Sequence, residues 1–329
     1  MSENIEILIQ NGNTVYAPVV EEGVSWETER KGVPGKLTFK VVKEGELSFF
    51  EGNPVRFSYG STNVFYGFVF SKKRDKEKVI NVTCYDQLRY LKNKDTYVYK
   101  NKTAGDLVEM IARDFLLNTG KIEYTGYTIG ERVEDNKTLF DIIQNALDLT
   151  LQNTREMYVL YDDFGKICLK GLERLKLGLV IDAETGENYD YTSSIDNETY
   201  NKIKLIYDNK DTGKREIYIT KDSNNINNWG VLQYFEKLNS NENAQAKADA
   251  LLQLYNRKTR KLQIKNAIGD IRVRGGSSVI VQLDLGDLKV QNFMIVEKVK
   301  HNFKNGEHFM DLTLIGGDGF VSWVVIQSY

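Results

Sequence analysis

Between Cys84 and Phe115, in CYDQLRYLKNKDTYVYKNKTAGDLVEMIARDF, the hydrophobic period of the chain changes from that of a strand to that of a helix. The segment opens on the end of a strand, crosses a charged, tyrosine-rich connector and enters an amphipathic helix behind a cap. A chain with this switch cannot be one uniform β or α unit, so the β structure before it and the helical module after it are taken in turn. Upstream, Ile5, Ile7 and Ile9 fall at strand spacing, as do Leu37, Phe39 and Val41, then Val55, Phe57 and Tyr59. Val64 to Phe70 is a continuous apolar run around Gly67, which predicts a buried strand with a bend or bulge. Val79 to Tyr85 alternates again. Trp26 leads the charged segment WETERKGVPGK, with a turn at Pro34-Gly35. Residues 1 to about 98 therefore predict five or six short strands in a small barrel or sandwich.

Residues from about 99 to 175 predict a two-helix-plus-hairpin module. Thr103 with Asp106 is a capping-box-like start, in which Asp stands for the usual Glu or Gln. Ala104, Leu107, Val108, Ile111, Ala112, Phe115 and Leu116 then line one helix face. The device recurs at Thr138 and Asp141, ahead of Leu139, Ile142, Ile143, Ala146 and Leu147. Met157 to Tyr161 and Lys166 to Leu169 flank a turn at Asp162 to Gly165. Residues from about 176 to 329 return to β structure. Lys202 to Tyr207 and Arg215 to Thr220 predict a hairpin, Ser223 to Asn228 a polar loop, and Ser240 the start of a helix over about 241–257. Asp270 to Arg274, Ser278 to Leu283, Asn292 to Lys300 and Phe309 to Leu314 predict strands, the last two joined by an Asn305-Gly306 type I′ turn. The closing VSWVVIQSY reads as a tail packed on a neighbouring domain or subunit. The fold class is α+β, mainly β: two small β-barrel domains (1–98 and 176–329) separated by a helix-containing α/β module (99–175).

The balance of 44 basic and 46 acidic residues gives no case for specific nucleic-acid binding, although a local basic patch can hide within it. No apolar run approaches the ~20 residues of a spanning helix, and MSENIEILIQ has no signal-peptide pattern. Cys84 and Cys168 sit in apolar strand contexts, as buried thiols of a protein made in a reducing cytosol would. The residues offer little chemistry. His301 and His308 come to one sheet face through the Asn305-Gly306 hairpin, but no third ligand joins them. Asp162-Asp163 and Asp182 with Glu184 are paired carboxylates in turn sequences. Asp208 to Asp211 has only part of a calcium loop. Gly275-Gly276-Ser277-Ser278 lies between strands, where a phosphate cradle would need a following helix and a Lys. No catalytic, cofactor-binding or metal residue is named. The most basic stretches are Arg30-Lys31, Lys72-Lys73-Arg74 with Lys76 and Lys78, and Arg257-Lys258 with Arg260-Lys261, which we read as solvated loops and helix ends, or else as positions that line a channel or meet acidic partner surfaces.

WETERKGVPGKLTFKVV (Trp26 to Val42), FYGFVF, YDQLRYL, the KTAGDL helix start, IRVRGGSSVIV and VKHNF…HFMDLTL occur in an order that resembles phage tail hub proteins of the XkdQ/YqbQ type, found in PBSX-like prophages. That group is similar to late-control gene D proteins, to the central hub of large myophage baseplates and to the N-terminal part of type VI secretion spike proteins. The resemblance covers nearly the whole chain. It implies a non-enzymatic hub of a contractile tail or R-type bacteriocin: a homotrimer whose two barrels per chain make a pseudo-sixfold ring between a hexameric tube and a trimeric spike. Its partners would be the tube protein, the spike protein, and baseplate wedge or LysM-type proteins. It would be made in the host cytoplasm without a signal peptide, incorporated into the particle, and free of cofactors and membrane insertion. A cell-wall carbohydrate-binding module is the alternative, and a cell-wall hydrolase a weaker one. We expect strand edges at the subunit interface and a partner-facing surface formed by Trp26, Glu27, Glu29, Arg30, Lys31, Pro34, Lys72, Lys73 and Arg74. Deletion of Arg30 to Pro34 is expected to spare the fold and abolish assembly.

Overall fold

A computed structural model describes residues 5–316, apart from 44, 75, 77, 78, 197, 211, 239–243 and 285–288. The first β unit holds strands Ile5–Asn11, Thr14–Tyr16, Val20–Glu29, Lys36–Val42, Pro54–Tyr59, Thr62–Arg74 and Val79–Tyr85. Their alternate apolar residues (Ile7, Ile9, Leu37, Phe39, Val41, Val55, Phe57, Phe65, Ile80 and Val82) share one buried core. Gly67 serves close approach: a Cβ there would lie 2.3 Å from the Tyr85 carbonyl oxygen. The register shifts between Val69 and Ser71, further along the same strand.

The middle module forms around helices α1 (Ala104–Asp114) and α2 (Leu139–Thr154). Thr103 accepts from the Asp106 N–H at 3.1 Å, and the Asp106 carboxylate accepts from the Thr103 N–H at 2.8 Å. The reciprocal box satisfies two of the backbone donors that a helix start leaves open. Thr138 caps α2 through the Asp141 N–H at 3.1 Å. Leu107, Ile111, Leu139, Ile142 and Ala146 are fully buried between the two helices and the neighbouring strands. Strands Tyr158–Asp162 and Ile167–Gly171 make the expected hairpin, closed by Phe164 and Gly165 at positive φ. Lys94–Tyr99 and Arg132–Thr138 add an antiparallel pair that local periodicity did not announce.

In the last part, Lys202–Asn209, Lys214–Lys221 and Gln233–Lys237 form a three-stranded sheet. It packs Ile203 and Leu205 against Ala244, Ala248 and Leu251 of α4 (Ala244–Tyr255). Two local expectations are corrected. Ser223–Trp229 is a short helix, α3, because Asp222 accepts from the Asn225 N–H at 2.8 Å. Asp270 to Arg274 is an irregular loop, folded by Asp270 onto the N–H and guanidinium of Arg272. Ser240 and the VSWVVIQSY segment lie outside the described residues.

One strand organises the whole. Lys289–Lys304 pairs with Ser278–Asp284, with Glu307–Gly316 and, through Lys298 to Phe303, with Val24 to Glu29 of the first unit. The two β units are thereby continuous in a sheet of thirteen strands, mainly antiparallel. Among the described residues its main pairing path runs from Thr14–Tyr16 to Asn188–Ser194, with Ser278–Asp284 and then Lys176–Asp182 branching from Lys289–Lys304.

Candidate functional site

Where Val20–Glu29 meets Lys289–Lys304, a column of rings closes the join. Trp26 stacks on His301 with centroids 4.9 Å apart. Phe303 stacks on His308 at 4.4 Å, and Tyr59 meets both of those rings. The hairpin register sets Phe303 opposite His308 and His301 opposite Met310, as the Asn305-Gly306 turn requires. His301 is completely buried. Its Nε2 faces the Val273 carbonyl at 2.8 Å and so carries the proton; Nδ1 then accepts from His308 Nε2 at 2.9 Å. Burial, with His308 alongside, holds His301 down at about 3, and burial holds His308 at about 4. Both rings are neutral core groups.

This join corrects the expected partner surface in part. Trp26 is 4% exposed, because its ring fills the space over His301. Pro34 is buried too. Glu27 and Glu29 both pair with Lys298 at 3.0 Å. Arg30 binds Glu297 at 2.6 Å, and its N–H donates to the Glu297 carbonyl. These side chains bond within the chain, across the join. Deleting Arg30 to Pro34 would remove the Arg30 bonds to Glu297 and the buried Pro34, a loss within the join that the fold is not expected to tolerate. Lys72 is held over the Phe49 and Phe50 rings, each 5.0 Å away, and donates to the Phe49 carbonyl. Lys31, Lys73 and Arg74 are exposed.

Beside the join, all three parts of the chain converge on two buried carboxylates. Asp86 accepts from the Gly35 N–H at 2.8 Å and the Leu88 N–H at 3.0 Å. Asp162 accepts from the Gly165 N–H at 2.7 Å. Arg274 donates to the Asp162 carbonyl and lies 4.3 Å over the Tyr161 ring. Burial pushes Asp86 well above the usual carboxylate range, with Asp162 adding to it, and pushes Asp162 up to about 6. Glycines let the backbones close up: a Cβ on Gly35 would lie 2.4 Å from Asp86 Oδ2, on Gly165 2.5 Å from the Tyr66 ring, and on Gly275 2.3 Å from the Glu29 backbone. The pair is sealed in packing, and the bonds between parts lie around it: Arg274 to the Asp162 carbonyl, Gln87 to the Asn118 carbonyl and the Gly275 N–H to Thr28. Asp182 accepts from the Glu184 and Thr185 N–H groups in a turn, and Asp208 pairs with Arg215 and Lys237. No cluster of three metal-ligating side chains occurs among the described residues.

A cleft of about 760 Å³ is bounded by α2, α4, the Arg30-Lys31 loop and the strands Asn188–Ser194 and Thr259–Ile268. Leu147, Leu151, Met157, Leu254 and Ile315 line it, with Tyr158, Tyr234 and Tyr255. Two basic segments far apart in sequence, Arg30-Lys31 and Arg257 to Lys261, come together on its walls. Burial pulls Arg257 down to about 10. Each segment was visible as a charge run, but their meeting depends on tertiary structure. No described helix is long and apolar enough to cross a membrane.

Residues 24–315 match the family described as YQBQ-like. The chain belongs to that family. YqbQ of Bacillus subtilis (strain 168) is 34% identical over 314 residues, which span 92% of this chain and 94% of that protein. The phage-like element PBSX protein XkdQ of the same organism is 34% identical over 317 residues, with the same coverage. The 43 kDa tail protein of prophage MuSo2 from Shewanella oneidensis has a similar structure, with a TM-score of 0.70 at 12% identity over 96% of this chain and 99% of that one. So does the E. coli c3393 protein, described as a component of the type VI secretion system similar to T4 tail proteins gp27 and gp5 (TM-score 0.55, 12% identity, 94% of this chain and 75% of that one). This YQBQ-like chain thus has the fold of phage tail proteins.

Proposed function

We propose that the chain is the structural hub of a contractile phage tail or phage-tail-like bacteriocin. Three copies form a ring that joins a hexameric tube to a trimeric spike, with wedge or LysM-type proteins around it and with no catalytic role. Each chain contributes two barrel-like β domains, 1–98 and 176–329, with the 99–175 module between them. The protein is synthesised in the host cytoplasm and ends in the tail.

The observation that carries this proposal is the strand Lys289–Lys304, which joins the two β units edge to edge within one chain. A ring of three such chains needs the same kind of join between copies, and among the described residues the main pairing path of the sheet ends at strands with one unpaired edge, Thr14–Tyr16 and Asn188–Ser194, that suit it. The bonds Arg274 to Asp162, Gln87 to Asn118 and Gly275 to Thr28 suit a load-bearing part, since together they tie all three parts of the chain. Relatives in a phage-like element and the fold shared with prophage tail proteins support the same conclusion.

Light scattering after size exclusion tests it. A mass near three times 37.8 kDa, with rings in negative-stain images, is expected. A monomer moves the test to co-purification with tube and spike proteins, where failure to associate overturns the proposal. A stable dimer or tetramer overturns it directly.

A further inference from the structure

We propose that the cleft between α2 and α4 receives an extended acidic segment of a partner protein, anchored by apolar side chains. The proposal rests on the cleft alone and stands whether or not the chain is a trimeric hub.

Its walls carry six cations, Arg30, Lys31, Arg257, Lys258, Arg260 and Lys261, against two carboxylates, Asp148 and Glu198. Three of the six already have partners within the chain: Arg30 is held by Glu297, and Arg257 and Arg260 have contacts of their own. Lys31, Lys258 and Lys261 are exposed. These three lysines face a volume within the roughly 300–1,000 Å³ range of ligand sites.

The floor decides the kind of anion. Leu151, Met157 and Leu254 continue from the cleft into a smaller apolar recess with Leu172 and Leu251. Apolar side chains entering there leave water, and a simple anion would gain nothing from them. A nucleic-acid strand would leave the leucines unused. A second copy docking by the same face would oppose cation to cation. A polypeptide that alternates carboxylates with apolar residues matches both walls and floor, with charges steering it and apolar anchors holding it.

The test uses the full chain and three fluorescein-labelled probes: a twelve-residue peptide alternating Glu with Val and Phe, the same peptide with Lys for Glu, and a twelve-nucleotide oligothymidine. Fluorescence anisotropy reads binding. The acidic peptide should bind saturably and the other two should not. Lys258→Glu with Lys261→Glu should weaken that binding by about tenfold or more, as two attractive contacts become repulsive. Lys73→Glu with Arg74→Glu, exposed cations that do not line the cleft, should leave it unchanged. Three results overturn the proposal: acidic binding no tighter than basic, equal loss in both double variants, or oligothymidine binding as tight as the acidic peptide. Unchanged thermal melts keep loss of binding separate from loss of fold.

Discussion

Substitution of His301 by Phe should make the protein less stable at neutral pH and, at the same time, less sensitive to acid. The imidazole is fully buried between Trp26 and His308, and its folded-state pKa lies at about 3, below the ordinary 6.5. As pH falls below that ordinary value the unfolded chain takes the proton and the folded chain does not. The stability tied to the neutral ring is therefore complete above about pH 6.5 and lost progressively as pH falls toward 3. At about pH 4.5 the unfolded state has gained two pKa units of protonation, or ~2.7 kcal/mol at ~1.4 kcal/mol per unit. His301→Phe removes that loss. It also strips the Val273 carbonyl of its donor, which costs roughly 1–3 kcal/mol at every pH. Urea unfolding of both proteins at about pH 7.5 and 4.5 gives the double difference, in which the shared contributions of Asp86 and Asp162 cancel. The variant should start lower and fall ~2–3 kcal/mol less. Parallel pH dependences would refute the reasoning, because they would mean that His301 titrates in the folded state as it does in the unfolded one.

Three further outcomes follow from the same geometry. Arg274→Met removes the cation beside Asp86 and Asp162, which lets their folded pKa values rise further; since a raised carboxylate favours the folded state as pH falls, the loss in melting temperature should be larger at pH 7.5 than at pH 5. Gly213 and Gly165 both have positive φ, but only Gly165 faces a ring, so Gly213→Ala should cost ~1 kcal/mol and Gly165→Ala clearly more in thermal melts. Thr138→Ala should cost ~1 kcal/mol through the lost cap on α2, with Thr138→Ser nearly silent.

Much of the local fold was legible because local rules generate it. The Thr103/Asp106 and Thr138/Asp141 pairs mark both helix starts to the residue, and Asn305-Gly306 correctly sets His301 and His308 on one face. Strands such as Asn188–Ser194 and Lys94–Tyr99 were missed because they expose most of their residues, so no apolar alternation betrays them. α3 was missed because one cap outweighs a run of asparagines. The candidate site was legible only as fragments. Trp26 looked like a surface residue because its charged neighbours were conspicuous, whereas its ring partner lies at His301, near the other end of the chain. Nothing local in Arg30-Lys31 or Arg257 to Lys261 states that they border one cleft.

Val24 to Glu29 pair on one edge with the nearby strand Lys36–Val42, but on the other edge their partners are Lys298 to Phe303. On a ribosome the first β unit therefore emerges with that edge unpaired and must wait until the strand Lys289–Lys304 has been synthesised. A closure this distant in sequence is slow, because the intervening loop must be ordered before the contacts repay it. The waiting edge is open to pairing with other chains, so expression at lower temperature or with chaperones should raise the yield of soluble protein more than stabilising the finished core would.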